Sequence, residues 1–491
     1  MIEEKAQLPK GWIWTRIREI CSLINGRAFK PTEWSSKGLP IIRIQNLNDP
    51  EAEFNYCEFN VDNKYYVNDG QLLFAWSGTP ETSFGAHIWN RGKAVLNQHI
   101  FKVEINENYI NKIFFKYLIN HNISEYVSKA HGTAGLAHIT KSKFDESLIP
   151  LPPFTEQSRI SDKIEELFTQ LDAGVDSLKK VKAQLKRYRQ AFLKYAFEGR
   201  LTEEWRKTHR DEIEPASKLL ERIREERKRL GKYEEPQPID TTDFLELPES
   251  WIWTKLGTIC ETTSGGTPSR KNKTFYGGGI PWLKSGELDN RIIDSTEETI
   301  TTLGLENSSA KIFPKGTLLI ALYGATVGKL GILGIDATTN QAVCAIFMPS
   351  GVSQRFLFWF LNSYRNELLS ARIGGAQPNI SQSIVNNVVL PLAPFHEQRK
   401  IVEEIEYRLS IADNLERVVE QNLILGERMR QSILKRAFEG RLVPQDPSDE
   451  PAERLLERIR EERARYRGKE NTVISKAEGS LRQMGLMNFV K

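Results

Sequence analysis

Apolar and polar positions alternate between two regimes along the 491 residues. In 1–155 and 246–395, short apolar runs (39–44, 71–76, 318–322, 342–348) are parted by glycine-rich turns and predict strands. Amphipathic spacing at 108–128 and 353–371 predicts helices, so each of these parts is expected to be α+β. In 156–245 and 396–491 the pattern turns helical and charged. Between residues 157 and 199 there is no proline, and positions alternately four and three apart fall on Ile160, Ile164, Leu167, Leu171, Gly174, Leu178, Val181, Leu185, Tyr188, Phe192 and Tyr195. Only Gly174 is out of place, which predicts a heptad seam and coiled-coil packing. At ~1.5 Å per residue the rod is about 65 Å long. The same register in the second half gives Ile401, Ile405, Arg408, Ala412, Leu415, Val419, Asn422, Gly426, Met429, Ile433 and Arg436, a poorer seam in which Leu409 and Leu423 point to a local shift.

That recurrence is part of a larger one. GWIWTRIREIC (11–21) returns as SWIWTKLGTIC (250–260), LPPFTEQ (151–157) as LAPFHEQ (392–398), LKYAFEGRL (193–201) as LKRAFEGRL (434–442), and PASKLLERIREERKR (215–229) as PAERLLERIREERAR (451–465). The order is kept at a shift near 240, too long for a solenoid unit and right for a domain plus an appendage. Charge divides each copy again, with 33 charged residues in 1–155 against 39 in the shorter 156–245. The expected architecture is two similar mixed α+β globular domains, 1–155 and 246–395. They are separated by two long helices, in 156–245 and 396–491, that pair as an antiparallel coiled coil about a pseudo-two-fold axis. The shorter charged helices near 216–230 and 452–467 carry Glu and Arg three and four apart and offer either a solvated or a docking face.

Matching copy to copy separates frame from variable loop. Trp12/Trp251, Trp14/Trp253, Cys21/Cys260, Pro40/Pro281, Gly78/Gly324, Gly85/Gly328, Asn97-Gln98/Asn340-Gln341 and Ile139/Ile380 agree, while the polar residues between them differ. Two readers of two different targets would have this form. Base edges are read by polar side chains and phosphates are held by Lys and Arg. With DNA as the target, which the family resemblance given below implies, the candidate DNA-binding residues are Arg27, Lys30, Arg43, Ser77, Thr79, Ser83 and His87 in the first domain. In the second they are Thr267, Arg270, Lys271, Lys284, Tyr323, Lys329 and Arg372.

Composition narrows the chemistry. Lys+Arg is 68 and Asp+Glu 64, a net charge of +4, so the chain does not coat DNA by excess positive charge, and modest affinity for DNA is expected without partners. No run approaches the ~18 apolar residues of a membrane span. The opening MIEEKAQLPKGW lacks a leader pattern, and four scattered cysteines make neither a disulfide framework nor a zinc site, so a reducing cytoplasm is expected. GATVGK (324–329) has three residues between its glycines where a phosphate loop has four. LPPF (151–154) and LAPF (392–395) put leucine where an amino-methylating enzyme needs a polar acceptor. There is no HExxH, and no catalytic or metal site is expected in this chain.

The Trp-x-Trp openings, GAQPNISQS (375–383), the PLPPFTEQ and PLAPFHEQ joints, both AFEGRL segments and both LLERIREER helices, taken in order over essentially the whole length, resemble the specificity subunits of Type I restriction-modification enzymes. The resemblance implies a non-catalytic subunit with two target recognition domains and helical regions that separate them and dock two methyltransferase subunits. It also implies double-stranded DNA as ligand, S-adenosylmethionine used by the methyltransferase partners, and ATP and Mg used by restriction subunits. HGTAGLAH (131–138) departs from the GAQPNIS form of the second copy. Two rival readings are a self-contained DNA-modifying enzyme, which the missing motifs disfavour, and a coiled-coil scaffold that does not touch DNA.

Overall fold

A computed structural model describes residues 7–49, 51–78, 84–128, 137–231, 238–242, 244–370 and 379–465. The chain folds as two compact units, one of them built from two separated segments and the other continuous. The first takes residues 1–178 and 421–491, the second 179–420. Two 44-residue helices, Phe154–Phe197 and Phe395–Phe438, run from one unit into the other.

In the first unit, Cys21–Asn25, Ile100–Ile105, Gln71–Ala75 and Gly85–Trp89 form an antiparallel sheet in that order. Its apolar face packs on the helix Lys112–His121 and on Ile160 and Ile164 of the first long helix. A second four-stranded sheet (Asn55–Cys57, Leu39–Ile42, Ala94–Leu96, Tyr66–Val67) carries its own small cores. The second unit repeats the plan with five strands, Glu261–Ser264, Val343–Phe347, Leu318–Ala321, Leu330–Leu333 and Arg291–Ile293. They pack on the helix Gln354–Ser363 and on Ile401 and Ile405, beside a three-stranded sheet built on Tyr276–Leu283. The expected strands and helices thus form, each helix broken once near its middle (Lys112–His121 and Ile123–Ser128; Gln354–Ser363 and Arg365–Ser370).

The repeated motifs meet in one joint per unit. The Trp-x-Trp strand Ile13–Arg16 pairs with Leu148–Leu151, and Ile252–Lys255 with Val389–Leu392. Trp12 Nε1 donates to Glu156 (3.0 Å) and Trp251 Nε1 to Glu397 (2.9 Å), the glutamate of each EQ pair. The neighbouring glutamine serves the next helix: Gln157 Oε1 accepts from the Asn111 N–H (2.9 Å) and Gln398 Oε1 from the Ser353 N–H (2.8 Å), at helix N-termini whose donors have no intrahelical partner. Each tryptophan also receives the other copy's AFEGRL turn. Gly440 (φ +68°) sits against Pro9 and Trp12, and Gly199 (φ +76°) against Pro248 and Trp251; a Cβ on either would come within 2.5 Å of a proline carbon.

The short charged helices are exchanged in the same way. Leu455, Leu456 and Ile459 of 452–465 are buried in the first unit's core. Leu219, Leu220 and Ile223 of Ala216–Arg229 are buried in the second's. Their equivalent arginines hold backbone carbonyls of the copy they dock on, Arg463 that of Arg18 and Arg227 those of Gly257 and Thr258 (2.6 and 2.8 Å). One face of each is therefore core, and only the charged face remains for another role.

The seam of the long helices differs from the expected one. In the first unit Gly426 lies against Leu171 and Val175, and Arg430 pairs with Asp172 and covers the Phe168 ring at 4.3 Å. In the second, Lys182 pairs with Glu420 (2.7 Å), Arg189 with Asp413 and Glu416 (2.6 and 2.8 Å), and Arg408 covers Phe192. Partners descend on one helix as they ascend on the other, so within each unit the two helices run in opposite senses. The stripe facing the partner is Phe168, Leu171, Val175, Leu178, Lys182, Leu185, Arg189 and Phe192; on the second helix it is Leu409, Ala412, Glu416, Val419, Leu423, Gly426 and Arg430. Of the expected positions, Leu171, Leu178, Leu185, Phe192, Ala412, Val419 and Gly426 keep their place, and Ile160, Ile164, Ile401 and Ile405 are buried on the sheets' side. Met429 yields to Arg430, and Ile433 is partly buried against the first unit's core. Leu167, Val181, Tyr188, Leu415 and Met429 lie one residue off the stripe, and the last four are 40–49% exposed. The cause is chemical: Lys182 and Arg189 occupy seam positions because their long side chains reach across to carboxylates, and a count of apolar residues steps over them.

Candidate nucleic-acid interface

Sheet edges and turns outside the joints carry the candidate residues. In the first unit Arg27 bridges to Asn97 through the backbone, and its guanidinium lies over Phe29 (4.7 Å) and Phe59 (4.9 Å). It is ion-paired to Glu33 (2.5 Å), and that hydrogen bond holds the Glu33 carboxyl below its ordinary range. One terminal nitrogen of Arg27, Nη1, is buried without a hydrogen-bond partner. Lys30 starts the 3-10 turn Pro31–Glu33 with its side chain exposed. Arg43 covers the Trp34 ring (5.1 Å) and reaches Asn55 (3.5 Å). Arg27, Lys30 and Arg43 therefore share the smaller-sheet lobe. Ser77 and His87 belong to the other sheet region: Ser77 is buried on a two-residue strand paired with Ala137–His138, and His87 stands opposite Leu73 inside the larger sheet. Burial keeps the Ser77 hydroxyl from meeting a base edge in this conformation, which corrects that assignment. Thr79 and Ser83 lie outside the described residues.

In the second unit Arg270 repeats the stacked arginine with different rings, over Tyr276 (4.5 Å) and Trp282 (4.9 Å), and pairs with Glu298 (2.6 Å). Lys284 joins the same carboxylate (3.2 Å) and Glu297 (2.8 Å). These pairings hold the Glu298 carboxyl down and push the Lys284 ammonium up. Lys329 pairs with Asp289 (2.8 Å). The turn Ser285–Glu287 packs beside the turn Gly324–Thr326, so Lys284, Tyr323 and Lys329 gather in one area. Tyr323 is exposed there and bridges to Asn379 through the backbone. Thr267 donates to Gln341, and Lys271 is exposed. Arg372 lies outside the described residues.

Four of the chosen cations (Arg27, Arg270, Lys284, Lys329) are thus neutralised within the chain, which weakens them as phosphate holders. The fork of Arg270 is already spent on Glu298 through Nη1 and Nη2, and Arg27 has Nη2 on Glu33 and Nη1 buried, so either guanidinium meets a base edge only once its carboxylate pair opens. Residues the sequence argument passed over stand at the same edges. Gln98 meets the His99 ring nitrogen (3.1 Å) beside Arg27's neighbour Asn97, and Gln341 meets Thr267. Both were set aside as frame because they are identical in the two copies; a polar side chain in an edge turn was the available signal. Arg91, over Phe54 (4.4 Å), is a further stacked cation. Among the described residues no three His, Cys, Asp or Glu are placed to hold a metal ion, and no helix is long and apolar enough to cross a membrane. The thiols of Cys21, Cys260 and Cys344 are pushed up by burial to about 12, which leaves them unreactive at neutral pH.

A family model described as Type I restriction modification DNA specificity domain matches residues 9–187 and 248–421, each match ending inside a long helix. Among curated proteins the chain is 28% identical to the EcoBI specificity subunit of Escherichia coli, covering 93% of this chain and 94% of that one. It is 33% identical to the MjaIX specificity subunit of Methanocaldococcus jannaschii over 40% of this chain and 46% of that one. Among solved structures it is similar to one from work on assembly and conformational transition of the type I R-M system (TM-score 0.67, 20% identity, 89% of this chain, 100% of that one). It is also similar to the HsdS subunit of Thermoanaerobacter tengcongensis (TM-score 0.55, 20% identity, 90% and 100%).

Proposed function

The chain belongs to the family of Type I restriction modification DNA specificity domains, and on that premise we propose how its parts work. It is the DNA-recognition subunit of a Type I restriction-modification system. Residues 1–155 and 246–395 each read one half of a bipartite, asymmetric target in double-stranded DNA. The helical regions 156–245 and 396–491 separate the readers as an antiparallel coiled coil and set the unread gap. Half-site readers face the protein together when spaced about one DNA turn apart. Catalysis belongs to partners: two methyltransferase subunits that modify adenine with S-adenosylmethionine, and restriction subunits that use ATP and Mg. Opposite-sense pairing along the long helices supports the spacer. The displaced apolar stripe supports the docking: Val181, Tyr188 and Tyr195 on one helix and Ile411, Leu415 and Val418 on the other are 40–53% exposed at near-heptad spacing, the form a partner helix would cover.

The observation that carries the reading is one frame with two chemistries. Equivalent edge loops hold a stacked arginine on Phe29 and Phe59 in one unit and on Tyr276 and Trp282 in the other. Producing the chain with its methyltransferase partners and mapping methylated adenines across a host genome tests it. Two dissimilar short elements at a constant gap are expected. Methylation without a sequence pattern, or at one uninterrupted element, would overturn it.

A further inference from the structure

The first long helix carries an unused charged face. From Ser177 to Phe197 it holds seven Lys and Arg (179, 180, 182, 186, 187, 189, 194) and no Asp or Glu. Lys182 and Arg189 turn to the other helix and are paired there. Lys180, Arg187 and Lys194 recur every seven residues, so they share a face roughly opposite that seam. With Lys186 they are exposed and make no ion pair among the described residues. Of these four only Lys186 also lines the groove of about 530 Å³ on the seam side, with Lys179, Lys182, Ala183, Arg189 and Glu416. The equivalent positions of the second helix are Glu420, Gln421, Glu427, Arg428 and Lys435, so the repeat puts no net charge where the first helix has Lys179, Lys180, Lys186, Arg187 and Lys194.

We propose that this face binds the phosphate backbone of the unread DNA between the two half-sites. The proposal rests on the DNA-recognition reading above. The face offers cations with small and amide side chains (Ala183, Gln184, Gln190, Ala191) and no apolar anchor, which suits a polyanion and does not suit a packed protein interface. The fourteen residue steps from Lys180 to Lys194 span about 21 Å, the rise of about six base pairs at ~3.4 Å each. Contacts of this kind carry no sequence information, as an unread gap requires.

The test uses the full chain assembled with its methyltransferase partners and a target duplex, comparing wild type with the Lys180→Gln/Arg187→Gln/Lys194→Gln variant. Affinity is titrated from low to high salt, and assembly is followed by native mass spectrometry. The expected result is intact assembly, unchanged sequence preference, and a slope of log affinity against log salt shallower by about 2–3, with affinity about 10–100-fold weaker at low salt. An unchanged slope with intact assembly would overturn the proposal. Loss of assembly, with the slope of any surviving complex unchanged, would overturn it in favour of an acidic protein partner. If the wild-type complex itself does not distinguish target from non-target duplex, the DNA-recognition reading fails, and that outcome is distinct from both.

Discussion

At one joint Trp251 and Thr202 donate to Glu397 (2.9 and 2.7 Å), and Arg206 neutralises it directly. At the other, Trp12 and Gln445 donate to Glu156 (3.0 and 2.9 Å), while the arginine stands next door, Arg159 pairing with Asp449 (2.5 Å). Burial consequently pushes the Glu156 carboxyl above its ordinary range. The same tryptophan and glutamate are thus kept in both copies while the charge around them is solved differently. What is repeated is the hydrogen-bonded geometry that closes each unit on the other copy's helix. Compensation of the buried carboxylate was free to diverge.

Breaking the comparison starts with the glutamates. Glu397→Ala leaves Arg206, Thr202 and Trp251 without their acceptor and is expected to cost about 3–5 kcal/mol, against about 1–3 kcal/mol for Glu156→Ala, which strands only neutral donors. Calorimetry on the two variants decides it, and an equal or reversed order would refute the electrostatic contrast. The seam register comes next. Leu409→Ala, at a 6% exposed position, should cost about 2–5 kcal/mol in denaturant unfolding, whereas Leu415→Ala, at 49%, should stay within about 0.5 kcal/mol. The reverse ranking would restore the heptad read from apolar counting. Where the joints are alike, so should the effects be: Gly199→Ala and Gly440→Ala each force a side chain onto a positive φ and into a proline, at about 1–3 kcal/mol apiece in thermal melts.

The smallest effect is the pH dependence. A carboxyl raised in the native state contributes its stability in full below its unfolded value, near 4.5, and loses it as pH rises through the native one. Unfolding titrations should therefore show wild type gaining on Glu156→Gln as the pH falls from neutral toward that range. A gap that stays flat or widens with pH would contradict the raised carboxyl.

Much of this was legible in the sequence. The repeat, the long helices, the strands and the paired Trp and Glu-Gln motifs are local patterns. Their partners were not legible, because Gly440 meets Trp12, and Leu455 enters the first unit's core, across more than 400 residues of chain. Every second position of the seam was misplaced by one residue, since Lys182 and Arg189 do seam work through ion pairs. At the interface, Arg27–Glu33 is a near neighbour that spacing suggests, but Arg270–Glu298 and Lys329–Asp289 form only once the sheets bring them together. Comparing copies found residues that differ and was blind to Gln98 and Gln341, which do not.

Each lobe is proposed to read its own half of the target independently on a shared frame. Exchanging residues 1–155 for the corresponding segment of a relative with a different target, keeping both long helices, and mapping methylated adenines made by the complex tests it most directly. One half of the target should change, with the other half and the gap preserved; a change in both halves, or in neither, would contradict the account.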